Sequence, residues 1–103
     1  MNQTDRIKTM EEYLDSASAA VEKLEMALDE YESVQKQFKK LCDYYAGERW
    51  MKDFEADEAG RLPADLKRGV LSEDAVYDLI IDNHDLVVRM MKIAVKALEE
   101  GTV

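Results

Sequence analysis

The sequence predicts an all-α protein, and two observations carry that prediction. Apolar residues recur in alternating steps of three and four along most of the 103 residues, which is the spacing of one face of a helix. The chain has one Pro and four Gly, so few positions can turn sharply. We expect residues 1–103 to form one domain, a long antiparallel helical hairpin with a short, partly helical connector.

The first helix is predicted at about residues 4–45, because apolar residues follow a coiled-coil heptad there. Gln35 is the one polar member of a series comprising Ile7, Met10, Leu14, Ala17, Val21, Leu24, Leu28, Tyr31, Phe38, Cys42 and Tyr45. A third apolar column, containing Tyr13 and Leu41, widens the face to that of a bundle. A bend at residues 15–18 stays open, since Ser and Asp compete for backbone hydrogen bonds, although the unbroken heptad favours a continuous helix.

The connector is predicted at residues 46–71, with short helices inside it. Gly47 is suited to ending the first helix. Residues 48–55 have the composition of a short helix, which Gly60 then breaks. Residues 63–68 are expected to form one or two helical turns after Pro63, because proline suits a first helical position.

The last helix is predicted at about residues 72–100, with Ser72 as its N-cap. Leu71 and Val76 have the spacing of a hydrophobic staple, and Gly101 closes the helix. Most of its circumference is apolar, apart from one polar stripe: Asp78, Asp82, Asp85, Arg89, Lys92, Lys96 and Glu99. Such a helix is normally buried between partners. We therefore expect a second copy of the chain to complete a four-helix bundle as a homodimer.

Composition excludes several classes of partner. The net charge is −9, which repels the phosphates of nucleic acids and of anionic membranes. The longest apolar runs, such as residues 79–81, are far shorter than the ~20 residues of a membrane span, and residues 1–15 have no apolar run typical of a signal peptide. Cys42 is the only cysteine, so no internal disulfide is expected. These features predict a cytoplasmic protein.

A metal site is a weaker alternative in the acidic segment 53–60. Calcium loops place carboxylates at alternate positions, but Glu58 stands where such a loop needs glycine and Ala64 where it needs its bidentate glutamate. We favour a solvated acidic loop, or one paired with the nearby basic residues. A different hard-metal site remains the alternative, and its candidate ligands are Asp53, Glu55, Asp57 and Glu58. We expect no bound cofactor, and zinc is disfavoured because only His84 and Cys42 are available.

Four aspartates follow one another at helical spacing from Asp74 to Asp85. Stacked like charges destabilise a helix by roughly 0.2–0.5 kcal/mol per pair. We hypothesise that the connector folds back so that Lys67 and Arg68 pair with them. In the alternative interpretation the same carboxylates bind a metal or a basic partner.

Two further features of the sequence have a structural and a functional interpretation. Asn83 falls on an apolar seam, where asparagine commonly fixes register. Trp50 and Tyr77, with Tyr44 and Tyr45, are expected to anchor the connector to the helix ends. The alternative is a patch of aromatic side chains that faces a partner.

The middle of the chain resembles a known family. The residues that carry the resemblance are Tyr44-Tyr45, Trp50, Asp53, Glu55, Asp57-Glu58, Gly60, Leu62-Pro63, the run Asp65-Leu66-Lys67-Arg68-Gly69-Val70-Leu71-Ser72-Glu73-Asp74, and Val76-Tyr77-Asp78-Leu79. They resemble a bacterial family of helical proteins catalogued as domain of unknown function 4298. The resemblance implies a bacterial, helical protein, and it supplies no activity, cofactor or catalytic residue.

The function predicted from the sequence is a non-enzymatic helical interaction or assembly module. Nucleophile motifs and phosphate-binding glycine loops are absent. The candidate interaction or structural residues are Trp50, Asp53, Lys67, Arg68, Asp74, Tyr77, Asp78 and Asn83. Two alternatives stay open: an acidic decoy that inhibits a basic, nucleic-acid-binding partner, and a metal-dependent enzyme that uses the acidic connector.

Overall fold

The computed structural model of the chain describes residues 2–101 and 103. Those residues form four α-helices, one 3-10 turn and no strand, which confirms the all-α class. The helices are α1 (Gln3–Ser33), α2 (Gln35–Tyr45), α3 (Glu48–Glu58) and α4 (Ala75–Glu99), and the 3-10 turn is Gly69–Leu71. The chain divides into two compact units, residues 1–38 and 39–103. Across the described residues, no helix has both the length and the apolar character needed to cross a bilayer.

The first unit is dominated by α1, which begins at an asparagine cap. The Asn2 side chain accepts a hydrogen bond from the Asp5 N–H at 2.8 Å, which satisfies one of the donors that a helix N-terminus leaves unpaired. No residue of α1 is buried. The exposed side chains include large members of the predicted heptad seam: Ile7, Met10, Leu14, Val21, Leu24 and Leu28.

The prediction of one continuous helix at about 4–45 is wrong, because the helix is interrupted at Val34. Val34 has φ −100° and ψ 0°, and its N–H bonds to the Tyr31 carbonyl at 3.3 Å, three residues back. The Ser33 hydroxyl donates to the Glu30 carbonyl at 2.6 Å. A serine that competes for backbone carbonyls and a β-branched valine both weaken a helix. The heptad pattern continues across the break, so the pattern gave no sign of the interruption. Residues 15–18, where a bend was considered, are helical.

Helix α3 follows its N-cap Gly47 and ends at Glu58, three residues beyond the predicted end at 55. Gly60 has φ 70°, and its N–H bonds to the Asp57 carbonyl at 3.0 Å. The Arg61 N–H bonds to the Ala56 carbonyl at 2.9 Å. This pair of bonds is the Schellman termination, which requires a left-handed residue at Gly60.

The helix predicted at 63–68 is wrong. The segment forms a single turn, in which the Leu66 N–H bonds to the Pro63 carbonyl at 3.2 Å. The Arg68 guanidinium donates to the carbonyls of Pro63 and Leu66. A side chain thus occupies carbonyl oxygens that successive helical N–H groups would otherwise use.

Helix α4 begins at Ala75, three residues after the predicted start, and Asp74 rather than Ser72 occupies its N-cap position. The Ser72 hydroxyl accepts a hydrogen bond from the Ala75 N–H at 3.2 Å and donates to the Gly69 carbonyl at 2.8 Å. Leu71 and Val76, the residues with staple spacing, are both buried, and the 3-10 turn contacts α4. With Trp50 they make up the buried apolar set among the described residues.

Candidate functional site

Trp50 is the centre of the connector. Its position in the first turn of α3 places the indole against the 3-10 turn, where the ring N–H donates to the Val70 carbonyl at 2.8 Å. Tyr45 meets the indole edge-on at 5.0 Å between ring centroids, and Phe54 stacks on it at 5.2 Å. The Tyr45 hydroxyl donates to the Glu73 carbonyl at 3.3 Å. One aromatic cluster therefore joins the end of α2, helix α3 and the segment that leads into α4.

Tyr44 and Asp53 form a second link across the turn between α2 and α3. The Tyr44 hydroxyl donates to Asp53 Oδ2 at 2.6 Å. Desolvation of the phenol raises the pKa of Tyr44 to about 12, and the hydrogen bond to Asp53 and the negative charge of that carboxylate add to the rise. All three effects favour the neutral phenol. The sequence pattern did not predict this pair, although the turn at Gly47 is a signal that the two helices come together there.

Arg68 holds the irregular part of the connector to α3. Its guanidinium pairs with the carboxylate of Asp57 and donates to the carbonyls of Pro63 and Leu66. The hypothesis that Lys67 and Arg68 fold back onto the aspartates of α4 is therefore wrong for Arg68, because Asp57 takes its charge. Among the described residues Lys67 forms no ion pair with Asp74, Asp78 or any other carboxylate.

The acidic segment is helical, which corrects the loop proposed for residues 53–60. In a helix, residues four apart lie on the same face and residues two apart lie on nearly opposite faces. Asp53 and Asp57 therefore share one face, and Glu55 lies on the other side. Asp53 accepts from Tyr44 and Asp57 pairs with Arg68. In the described part of the chain, no group of three or more His, Cys, Asp or Glu side chains is arranged to hold a metal ion.

An open cleft of about 330 Å³ lies beside the Tyr44–Asp53 pair. Apolar side chains dominate its lining, which comprises Tyr44, Asp53, Leu62, Leu66, Lys67, Val70 and Leu71. A cleft of this kind can receive an apolar side chain and offers one ammonium group beside it. Its carboxylate is already bonded to Tyr44, so the cleft carries no unpaired acid for chemistry.

The remaining sequence-predicted residues lie along α4 and at its start. Asp74, Tyr77 and Asp78 are exposed, whereas Asn83 is half-buried. His84 is exposed and its Nδ1 lies 3.5 Å from Asp85 Oδ1. The structure therefore gathers Trp50, Asp53 and Arg68 around the connector and leaves Asp74, Tyr77 and Asp78 on the surface of α4.

The fold and these contacts define a class: a small all-helical protein with a connector held by aromatic and ionic contacts and with long helix faces that its own chain leaves open. The particular family follows from the sequence. Residues 7–93 match the family described as domain of unknown function DUF4298, and the chain belongs to that family. No curated protein and no solved structure matches the chain.

Proposed function

We propose that this protein is a non-enzymatic helical assembly module that forms a homodimer through helix α4. One observation carries the proposal: the large apolar side chains of α4 remain in contact with water. On one side of the helix Leu86 is 52 % and Ile93 56 % exposed, and on the other side Val95 is 51 % exposed. Burying apolar surface yields about 25 cal/mol per Å², and contiguous exposed patches of this kind mark interaction sites.

A second copy of the chain is the partner that best fits the exposed apolar surface of α4. In a two-fold dimer the same patch serves both partners, so α4 by itself can provide both halves of the interface. The exposed heptad seam of α1 offers a further surface of the same kind. Four helices from two chains would then share one core.

A structural role for the connector supports the non-enzymatic part of the proposal. Its polar groups are engaged with one another: Tyr44 with Asp53, and Arg68 with Asp57. The proposal includes a bacterial cytoplasmic location. The lone free thiol of Cys42 supports the location because a reducing compartment preserves it.

Sedimentation equilibrium and light scattering across the micromolar range test the proposal. We expect a dimer that Leu86→Glu weakens, since the substitution places a charge in the apolar face. Met26→Glu is the matched control, because Met26 is an exposed apolar residue outside the heptad seam of α1. A wild-type chain that stays monomeric at every concentration would overturn the proposal.

A further inference from the structure

We infer that α4 packs against α4 of a second copy in antiparallel orientation, about a two-fold axis near Val87. This inference rests on the proposed function and specifies its interface. The feature that carries it is the charged stripe of α4, which we define as six members of its polar stripe: Asp78, Asp82, Asp85, Arg89, Lys92 and Lys96. Its first three members are acidic and its last three are basic. Glu99, the last residue of the polar stripe, lies opposite Ala75 in this packing and is not part of the complementary set.

The charged stripe is open to a partner along its whole length. Its residues are spaced four and three apart, so they share one face of the helix, and all six are exposed. Within the described residues, Asp78, Asp82, Arg89 and Lys92 form no ion pair, whereas Lys96 Nζ lies 3.9 Å from Glu100 Oε1 at the exposed end of the stripe. The Asp85–Arg89 spacing would allow a pair within the helix, yet Asp85 is instead beside His84.

The order of charges makes the stripe complementary to itself when it is reversed. Asp78 and Lys96 lie equally far from Val87 along the sequence. The same holds for Asp82 with Lys92 and for Asp85 with Arg89. A two-fold axis at that point therefore places each of the three acids of the charged stripe of one copy beside a base of the other.

Parallel packing has the opposite result. It places identical residues together, so that Asp82 meets Asp82 and Lys92 meets Lys92, and like charges that face each other disfavour association. Antiparallel packing also relieves the repulsion among successive aspartates of one chain, because three cations of the second copy lie next to them.

The apolar columns on either side of the stripe have nearly the same symmetry. On one side Leu79 and Ile93 lie equally far from Leu86, one residue before Val87. On the other side Ile81 and Val95 lie equally far from Val88, one residue after it. An open groove of about 530 Å³ runs beside the basic half of the stripe and includes Val88, Lys92 and Val95 in its lining, which is where this packing places Ile81 of the second copy.

The first experiment uses two charge-reversed variants of the full chain. One carries Asp78→Lys, Asp82→Lys and Asp85→Lys; the other carries Arg89→Glu, Lys92→Glu and Lys96→Glu. At low salt, each variant alone should have a dimer dissociation constant higher than that of the wild type by about tenfold or more, because each of the three acid–base pairs occurs twice in the dimer. An equimolar mixture should form a heterodimer, and a chain with all six reversals should dimerise like the wild type.

A variant with Asp15→Lys, Glu22→Lys and Asp29→Lys is the matched control for the first of these variants, because it raises the net charge of the chain by the same amount on exposed positions of α1. Circular dichroism checks that each variant remains helical. Helical variants that do not recover association on mixing would overturn the antiparallel packing.

A cysteine experiment tests the direction of the helices without changing charge. In a Cys42→Ser background, Leu86→Cys lies one residue from the axis and should form an intermolecular disulfide with the same cysteine of the second copy. Leu79→Cys should form one only when mixed with Ile93→Cys. Crosslinking of Leu79→Cys with itself at the rate of Leu86→Cys would overturn the inference.

The outcomes separate the inference from the function it rests on. A monomeric wild type removes both. A wild-type dimer whose affinity is unchanged by either charge reversal removes the antiparallel packing and leaves the assembly module in place.

Discussion

The indole N–H of Trp50 lies 2.8 Å from the carbonyl oxygen of Val70, twenty residues further along the chain. This hydrogen bond closes the connector on itself, because it joins α3 to the 3-10 turn that precedes α4. The turn supplies Leu71 to the same small buried set as Trp50 and Val76. The start of α4 is thus tied to an indole at the start of α3.

Trp50→Ala should destabilise the protein by about 3–5 kcal/mol, since it removes a buried aromatic side chain and leaves a cavity. Trp50→Phe keeps a ring between Tyr45 and Phe54 but leaves the Val70 carbonyl without its donor, and should cost about 1–2 kcal/mol. Urea unfolding followed by circular dichroism, at one fixed protein concentration, measures both. Equal losses for Ala and Phe would contradict the packing role of the indole.

Tyr44 should keep its proton to about pH 12, well above the ordinary 10.0 of a tyrosine. Because the folded state binds this proton more tightly than the unfolded state, the stabilisation is intact below about pH 10 and is lost as the pH rises towards 12. Ultraviolet titration of tyrosinate should show one late-titrating group in the wild type that Tyr44→Phe removes. Tyr13→Phe is the control, since Tyr13 is well exposed.

Asp53→Asn should lower the pKa of Tyr44 only in part. The substitution removes the negative charge and weakens the hydrogen bond, but desolvation, the largest cause of the raised pKa, remains. The same tyrosinate titration measures the shift. An unchanged pKa in Asp53→Asn would show that the carboxylate has no influence on the phenol.

Arg68→Met should lower the stability of the protein by about 1 kcal/mol, because it removes the ion pair with Asp57 and two hydrogen bonds to connector carbonyls. Lys67→Met is the matched control. It removes the same charge from the neighbouring position, but Lys67 is exposed, so this substitution should change stability little. Thermal unfolding of the two variants side by side provides the comparison, and equal effects would argue against the role of Arg68 in holding the connector to α3.

Gly60→Ala should destabilise the protein by about 1–2 kcal/mol, since an L-residue at φ 70° is strained. Space does not explain this cost, because nothing lies within 4 Å of an added Cβ. Gly69→Ala controls for the loss of glycine itself: its surroundings are equally open and its φ is not positive. Urea midpoints that shift equally in both variants would exclude the backbone explanation.

The sequence predicted those parts of the fold that depend on local patterns. The all-helical class followed from the heptads, and the end of α3 followed from Gly60. The Ser72 hydroxyl bonds to the first residue of α4, as its place before the helix suggested, although Asp74 is the N-cap residue. In each case one residue or one repeat decides the backbone conformation, so neighbours in sequence carry the signal.

The tertiary structure decided what local patterns leave open. Arg68 pairs with Asp57 rather than with the aspartates of α4, because the connector's turn brings it back to α3. Val34 interrupts a heptad whose apolar spacing continues across it. The Tyr44–Asp53 and Trp50–Val70 contacts join residues nine and twenty positions apart, and no periodicity in the sequence encodes where a folded turn places such groups. The sequence by itself determined which segments become helices, whereas the path of the connector determined which side chains meet.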